Sequence, residues 1–311
     1  MDKILITGGS GLFGSNFALR QNKHFKIFLV QNKKKIFFIK KPSNVFILKE
    51  KINNKNNIKK LFDQIKPDHL IHAAAITDLE FCEKYKRLAT ITNYNLTKDI
   101  SNECNKRNCN LIFLSSDQLF NGTHNYYSEK SNTSPLNFYS KLKIRSENYI
   151  KKNLKKYLII RTNFFGWGTD YRSSFSDNII FKLKKRKKIS ILKDVSFNPL
   201  SLKYLCESIN KLIIKKKIGT YNISSSKELS KYKLAEKIAD KFKLNKNFLK
   251  PVSLNNLKSK VIRPRNMSLS NIKLSKIYKV PSINIQINNL FKEYNNKYYI
   301  NFKKNKNNEK N

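Results

Sequence analysis

The chain has 311 residues, enough for two modest domains or one with a large elaboration. Hydrophobic residues make up 40% of it, which supports a buried core and excludes wholesale disorder. The formal net charge is +43, yet the lysines are spread over nearly every segment beside an excess of Asn and Ile, the mark of an A/T coding bias at tolerant surface positions. With no recognisable nucleic-acid module and no Arg-aromatic platform, a dedicated nucleic-acid partner is not expected. The four cysteines (Cys82, Cys104, Cys109, Cys206) have the spacing of neither a metal site nor a disulfide framework, and a reducing compartment fits them. The start, Met1 to Ile6, lacks the basic segment and apolar core of a signal peptide, and no apolar run is long enough to span a bilayer. A cytoplasmic protein with no required metal is expected.

Lys3 to Thr7 is a short apolar, β-prone run, followed at once by Gly8-Gly9-Ser10-Gly11-Leu12-Phe13-Gly14 and an amphipathic segment. Strand, glycine-rich turn and helix in that order make a phosphate-binding unit. Gly8 permits the tight turn, Gly11 lets a pyrophosphate approach the backbone, and Gly14 lets the helix pack closely on the strand. The amides that open the helix, at Leu12 and Phe13, face the phosphates. The second strand, Lys26 to Val30, ends in Gln31-Asn32-Lys33-Lys34-Lys35. No carboxylate is there to accept bonds from the adenosine ribose, and Lys33 stands among cations suited to a 2′-phosphate. NADPH is the expected cofactor, with NADH as the alternative.

Val45 to Leu48 reads as a third strand, followed by a helix from about Lys55 to Ile65. His69 to His72 is a fourth strand, and its two histidines lack ligand partners by alternation, so both are expected to be packed strand residues. The strand runs into Ala73, Ala74 and Ala75, whose small side chains leave room for the cofactor backbone, and then Thr77. A long helix from about Ala89 to Asn108 leads to a fifth strand, Leu111 to Leu114, which ends at two hydroxyls, Ser115 and Ser116. The C-terminal ends of parallel strands are where ligands bind. Tyr139 and Lys143 lie four apart in a helix from about Phe138 to Lys152 and so share a face. The expectation is that the ammonium lowers the phenol pKa toward working pH, making Tyr139 a proton donor or acceptor while a strand-end hydroxyl holds the substrate oxygen.

Tyr157 to Thr162 is a sixth strand. Asn163 to Gly168 leaves it as an aromatic loop containing Phe165, read either as a wall for a nicotinamide or sugar ring or as ordinary aromatic packing. A basic helix (Phe175 to Lys187), a strand (Ile189 to Leu192), a helix (Leu202 to Lys216), a strand (Gly219 to Ile223) and a helix (Lys231 to Lys243) follow. Arginine is scarce beside lysine here, so Arg263 and Arg265 in one loop stand out as phosphate contacts. The residues from about Tyr294, and 296–311 above all, read as a frayed basic tail. The alternation of strands and helices predicts an α/β fold, a doubly wound parallel Rossmann-type sheet with a smaller C-terminal α/β substrate-binding part. Residues 1–165, completed by about 195–225, are assigned to the dinucleotide. Residues 166–194 and 226–295 are assigned to the substrate.

Together, Thr7 to Gly14, Lys66-Pro67-Asp68, Ala73 to Thr77, Ser115-Ser116-Asp117, Pro135 to Tyr139, Lys143, Arg161-Thr162 and Arg263 to Asn266 resemble the extended short-chain dehydrogenase/reductases. Within these the chain is most similar to the dTDP-4-dehydrorhamnose reductase family. The resemblance implies that Ser116 and Tyr139 act on a sugar ketone, that Lys143 supports Tyr139 and binds the nicotinamide ribose, and that Ser115 lies at the cofactor. It also implies that Asp117 and Thr77 face sugar hydroxyls, and that Arg263 lies near a nucleotide diphosphate. The implied activity is NADPH-dependent reduction of a nucleotide-linked 4-keto-deoxysugar in surface-polysaccharide synthesis. C4 epimerisation and a non-catalytic NADP-binding regulatory subunit are the alternatives. Ser116 stands where relatives often have Thr, and Gln118 where they often have an aromatic residue. Gln118 cannot transfer protons, which argues against a dehydratase. The nucleotide-sugar substrate is the implied partner; the family admits a homodimer, and the residues leave the oligomeric state open.

Overall fold

A computed structural model describes residues 1–52 and 54–298. Six strands, β1 (Lys3–Thr7), β2 (Lys26–Val30), β3 (Val45–Leu48), β4 (His69–His72), β5 (Asn110–Leu114) and β6 (Tyr157–Thr162), join a seventh, Gly219–Ile223, in one parallel sheet. Across the sheet the order is seventh strand, β6, β5, β4, β1, β2, β3. The central strands are continuous apolar runs because helices cover both faces; Ile4, Leu5, Ile6, Leu111, Ile112 and Ile160 are all buried. The chain reverses its winding between β1 and β4. Thr7 pairs with His72 and His72 with Phe113, so the turn at Gly8, the alanines after His72 and the serines after Leu114 emerge along one edge. A crevice at such a switch point is where doubly wound sheets bind ligands.

The strand boundaries at Tyr157–Thr162, Ile189–Leu192 and Gly219–Ile223 and the helix Lys55–Ile65 match those expected from the sequence. The helix expected over 89–108 is instead assembled from Lys86–Thr90, a π-helical turn at Ile91–Asn95 and Leu96–Lys106. The π turn turns Asn93 inward. Its amide clasps the Ile76 backbone, with Oδ1 accepting from Ile76 N at 2.8 Å and Nδ2 donating to Ile76 O at 2.8 Å. Its carbonyl accepts from Ser146 Oγ at 2.9 Å, tying the loop after β4 to the Tyr139 helix.

A second core lies beyond the strand ends. Helices Phe175–Lys184, Lys231–Lys241 and Ile283–Asn295 pack with the parallel pair Ile189–Leu192 and Leu249–Val252 around Trp167, Ile179, Ile238 and Phe242. The strand Leu249–Val252 and the helix Ile283–Asn295 were not anticipated. Fraying from Tyr294 is corrected by the structure: Tyr294 closes that helix and packs on Trp167, with ring centroids 5.8 Å apart, and Arg20 lies 4.5 Å from the Tyr298 ring centroid. The remainder of the expected tail falls outside the described residues. Among the described residues no helix is long and apolar enough to cross a membrane.

Candidate active site

The glycine turn is shaped by the chain's own contacts. Gly8 has φ +72°, and a Cβ on it would lie 2.8 Å from Ala74 N. A Cβ on Gly14 would lie 2.7 Å from the Gly8 carbonyl oxygen, so the helix Leu12–Gln21 reaches the turn only without a side chain there. Gly11 differs, because a Cβ there would meet only the Gly8 carbonyl oxygen, at 3.1 Å, and its outward face is clear. Above it stand the first amides of the helix, Leu12 and Phe13, which have no intrahelical acceptors. The Phe13 side chain itself is buried in the core, so its part in any anion site is through the backbone. Lys33 is exposed just beyond β2, and Lys34 Nζ lies 5.9 Å from the Tyr171 ring centroid. A clear glycine face, free helix-end amides and exposed cations after β2 fit a dinucleotide with a 2′-phosphate. Ala73, Ala74 and Ala75 are partly exposed beside this turn, and Ala74 N reaches Thr7 Oγ1 at 3.4 Å.

Asn137 caps the next part of the site. Its Oδ1 accepts from Ser140 N at 3.0 Å and starts the helix Phe138–Asn153 at a point that buries Tyr139 and Lys143 against β5. Tyr139, Lys143 and Ser116 are 6%, 4% and 6% exposed, so all three operate in a largely desolvated setting. The Tyr139 hydroxyl is close enough to Ser116 to be influenced by it, and burial pushes its pKa above the ordinary tyrosine value despite that influence. Lys143 Nζ donates to the Leu114 carbonyl at 2.6 Å and lies 4.5 Å from the Phe113 ring centroid. Burial lowers its pKa to about 8, with Glu147 acting the other way. The expected lowering of the phenol by the ammonium is therefore corrected. Lys143 is turned onto the β5 carbonyl, 5.9 Å from the Tyr139 ring centroid, and desolvation governs the tyrosine.

One turn further along the helix, Glu147 anchors the site from below. It accepts from Ser115 Oγ at 2.6 Å and takes Arg161 in a bidentate grip, with Arg161 Nε at 3.1 Å from Oε1 and Nη2 at 2.7 Å from Oε2. Burial raises the Glu147 pKa and the Arg161 bonds more than offset this, so it falls below the usual glutamate range. The sequence analysis did not single out this position, because its role depends on Arg161 arriving from another strand. Ser115 thus supports the framework, while Ser116 faces Tyr139.

Asp117 is 2% exposed. It accepts from Asn163 Nδ2 at 2.8 Å and from Ser116 Oγ at 3.3 Å. Burial nevertheless raises its pKa to about 6. The folded carboxyl thus holds its proton to higher pH than the unfolded chain does, so its contribution to stability falls as pH climbs through about 6. Asp117→Asn is expected to raise the unfolding free energy at pH 8 by up to about 3 kcal/mol and to change nothing below pH 4, as read by denaturant titration at both pH values. An equal effect at both would contradict this origin. A carboxylate kept at such a cost is a mark of a functional site.

Thr77 is exposed, and its Oγ1 accepts from Arg172 Nη2 at 2.5 Å. Arg172 also stabilises negative charge on Tyr139, and its place over the site was not foreseen. Two other expectations shift. Phe165 is 1% exposed in the second core with Trp167, so the aromatic loop resolves there as packing; Phe164 keeps partial exposure. Arg263 is close to the site, but its guanidinium is engaged. Nη2 donates to Glu80 at 2.8 Å and Nη1 to the Val261 carbonyl at 2.9 Å, which pins the 257–265 loop over the helix Leu79–Lys84. His72 is a buried strand residue as expected. Thr7 Oγ1 lies at 2.7 Å and Thr97 Oγ1 at 3.0 Å, and burial lowers its pKa to about 3, so it is neutral. Among the described residues no three His, Cys, Asp or Glu side chains are grouped to hold a metal. A concavity of about 700 Å³ lies at the opposite edge of the sheet beside Phe62, Lys66 and Lys217 and contains none of these residues.

The family model described as the RmlD substrate binding domain matches residues 1–296. The chain belongs to this RmlD-like family of sugar-nucleotide reductases. In the RmlD family the chain is 27% identical over 156 residues to dTDP-4-dehydrorhamnose reductase of Salmonella typhimurium, a match covering 50% of this chain and 52% of that one. The chain therefore spans about half the length of that relative. It is 28% identical to methionine adenosyltransferase 2 subunit beta of Xenopus laevis, covering 63% of this chain and 61% of that one. The solved structure of dTDP-4-dehydrorhamnose reductase from Bacillus anthracis in complex with NADP superposes with a TM-score of 0.82 at 25% identity, covering 94% of this chain and 99% of that one.

Proposed function

We propose that the chain is an NADPH-dependent reductase of a nucleotide-linked 4-keto-deoxysugar, acting in the cytoplasm in surface-polysaccharide synthesis. The observation that carries this is the placement of Tyr139, a buried phenol beside Ser116 on the helix that also buries Lys143, with desolvation raising its pKa. A protonated phenol is the donor that carbonyl reduction requires. The cofactor, when bound, supplies a hydride to the sugar carbonyl carbon. Ser116 Oγ hydrogen-bonds the carbonyl oxygen, and Tyr139 Oη releases its proton to that oxygen as charge develops on it. An alkoxide is a much stronger base than a phenolate, so the transfer is downhill even from a tyrosine of raised pKa. Lys143 Nζ, fixed on the Leu114 carbonyl, holds the ribose side of the cofactor and offers a positive charge to the phenolate left behind.

In this reading residues 1–165, completed by the helix and strand over 202–223, hold the dinucleotide. The 166–194 and 226–295 segments close over the sugar nucleotide, with Thr77 and Asp117 toward its hydroxyls. Lys33 and the glycine turn favour NADPH, in keeping with the NADP complex of the Bacillus anthracis relative. The second reading, a regulatory subunit, is favoured by the likeness to methionine adenosyltransferase 2 subunit beta. Adding a dTDP-linked 4-keto-6-deoxysugar to protein and NADPH separates the readings. Loss of the reduced-nicotinamide absorbance in proportion to sugar is expected. Cofactor binding without turnover on dTDP- or UDP-linked 4-keto sugars would replace the reductase by the subunit.

A further inference from the structure

Residues 253–265 form a loop whose two feet stand on one short segment beside the second core. Ser253 Oγ and Leu254 N donate to the Asp194 carboxylate at 2.6 and 2.8 Å. At the other foot Ser196 N donates to the Arg265 carbonyl at 2.8 Å, and Arg265 Nη1 donates to Asp194 at 3.0 Å. A loop fixed only at its base in this way leaves its tip to be held by whatever it meets. The tip crosses the crevice and meets the opposite wall at three points. Arg263 Nη2 donates to Glu80 Oε1 at 2.8 Å, Ser259 Oγ donates to the same oxygen, and the Ile262 carbonyl accepts from Asn137 Nδ2 at 3.2 Å. Glu80 follows Thr77 closely and Asn137 just precedes Tyr139, so the tip spans the mouth of the site. These contacts are light. Val261 is buried, but Leu257 and Ile262 are exposed, and the Glu80 side chain is 52% exposed. An ion pair so open to water contributes little to holding the loop down.

The Arg263 guanidinium is held there with donors to spare. Nη1 donates to Ser259 Oγ and to the Val261 carbonyl, and Nη2 to Glu80. Neither Nε nor the second hydrogen of Nη2 has an acceptor among the described residues. Lys258 and Lys260 stand exposed on the same tip, and Glu80 is the carboxylate that meets it. A pair of phosphate oxygens carries more charge than this carboxylate and fits the guanidinium fork equally well, so it competes for Arg263. A neutral sugar does not. We propose that Glu80 is a specificity-determining residue that latches the 253–265 loop through Arg263 and yields it only to the diphosphate of a nucleotide-linked substrate. Glu80 is then an internal competitor. It lowers the apparent affinity for every diphosphate by the fraction of time that it holds Arg263, and it leaves the loop latched against compounds without one. This rests on the nucleotide-linked substrate of the reductase reading.

The test is calorimetric titration of the NADP+-loaded protein with dTDP and with thymidine, in a cycle of variants. Glu80→Ala is expected to bind dTDP about two- to fivefold more tightly than the wild type, with thymidine unchanged. Glu80→Gln keeps the shape without the charge and is expected to give part of that gain. Arg263→Gln is expected to weaken dTDP by about 10-fold or more and leave thymidine unchanged. In the Arg263→Gln background, Glu80→Ala is expected to gain nothing. Amide exchange over 257–262 is expected to be about fivefold faster in Glu80→Ala than in the wild type. Unchanged or weaker dTDP binding in Glu80→Ala, or the same gain with Arg263 absent, would overturn the latch. Glu80 is half-exposed, so its variants keep the fold and the cycle is decisive. Sugar reduction without the Glu80 gain would remove the latch and leave the reductase standing; the full cycle without turnover of any keto sugar would do the reverse.

Discussion

Tyr139→Phe is expected to lower kcat for carbonyl reduction by about 10³-fold while cofactor and sugar affinities stay within about threefold, measured by steady-state kinetics and titration. The phenol ring is packed with Cys82, Ala89 and Leu142, so removing only its oxygen keeps the shape of the site. Ser116 retains its bonds with Asp117 and the Gln118 amide, leaving the oxygen-binding hydroxyl in place. What disappears is the group proposed to deliver a proton to the sugar oxygen. The pH profile carries the complementary sign. Tyr139 stays protonated through neutral pH because burial raises its pKa, so it adds no limb below pH 8. Lys143, lowered to about 8, loses its charge as pH climbs through that value, so activity is expected to fall on the alkaline side near pH 8. A Phe variant that turns over undiminished would take Tyr139 out of the chemistry.

The second large effect is on stability. Glu147→Ala is expected to cost about 3–5 kcal/mol, because it leaves the Arg161 guanidinium buried without its anion. Arg161 and Glu147 are each 1% exposed, so water cannot replace the lost partner. The variant also frees Ser115 Oγ and removes the carboxylate that raises the Lys143 pKa. The pH dependence follows from the lowered Glu147 pKa. The stability that this pair contributes is fully present above the ordinary glutamate value of 4.5 and is lost as pH falls through the folded value. Urea unfolding of both proteins at neutral and acid pH measures the difference. Equal stabilities at neutral pH would show that the buried pair contributes nothing net.

These contrasts show where the sequence was informative. Leu158, Ile159 and Ile160 are buried on both sides of the sheet, and an unbroken apolar run between polar ends marks such a strand at either boundary. Gly8 and Gly14 were legible because the turn itself requires them, Gly8 by its φ of +72° and Gly14 by its close approach to the Gly8 carbonyl oxygen. Ser116 was found by its place at a strand end and Tyr139 and Lys143 by their spacing, and the structure brings them together just after β5 and on the facing helix. What spacing could not carry was environment. The depth of Tyr139 reversed the direction of its expected pKa shift, and Phe165 turned into the second core rather than the crevice. Glu147 and Asn163 act through partners 14 and 46 positions away, at Arg161 and Asp117. No local pattern marks them. The helix Ile283–Asn295 was hidden by its Asn-rich sequence, which is a weak helix former, and it is held by burying Ile287 and Leu290 against the second core.

The central claim is that Tyr139 and Ser116 protonate and hold a sugar carbonyl oxygen while a hydride arrives from NADPH. Its most direct measurement uses NADPH deuterated on the reactive nicotinamide carbon, with a dTDP-linked 4-keto-6-deoxysugar, followed by NMR of the sugar product. The account predicts one deuterium on the new carbinol carbon for each cofactor oxidised. A sugar altered without net cofactor oxidation, or cofactor oxidised with no label at that carbon, would contradict it.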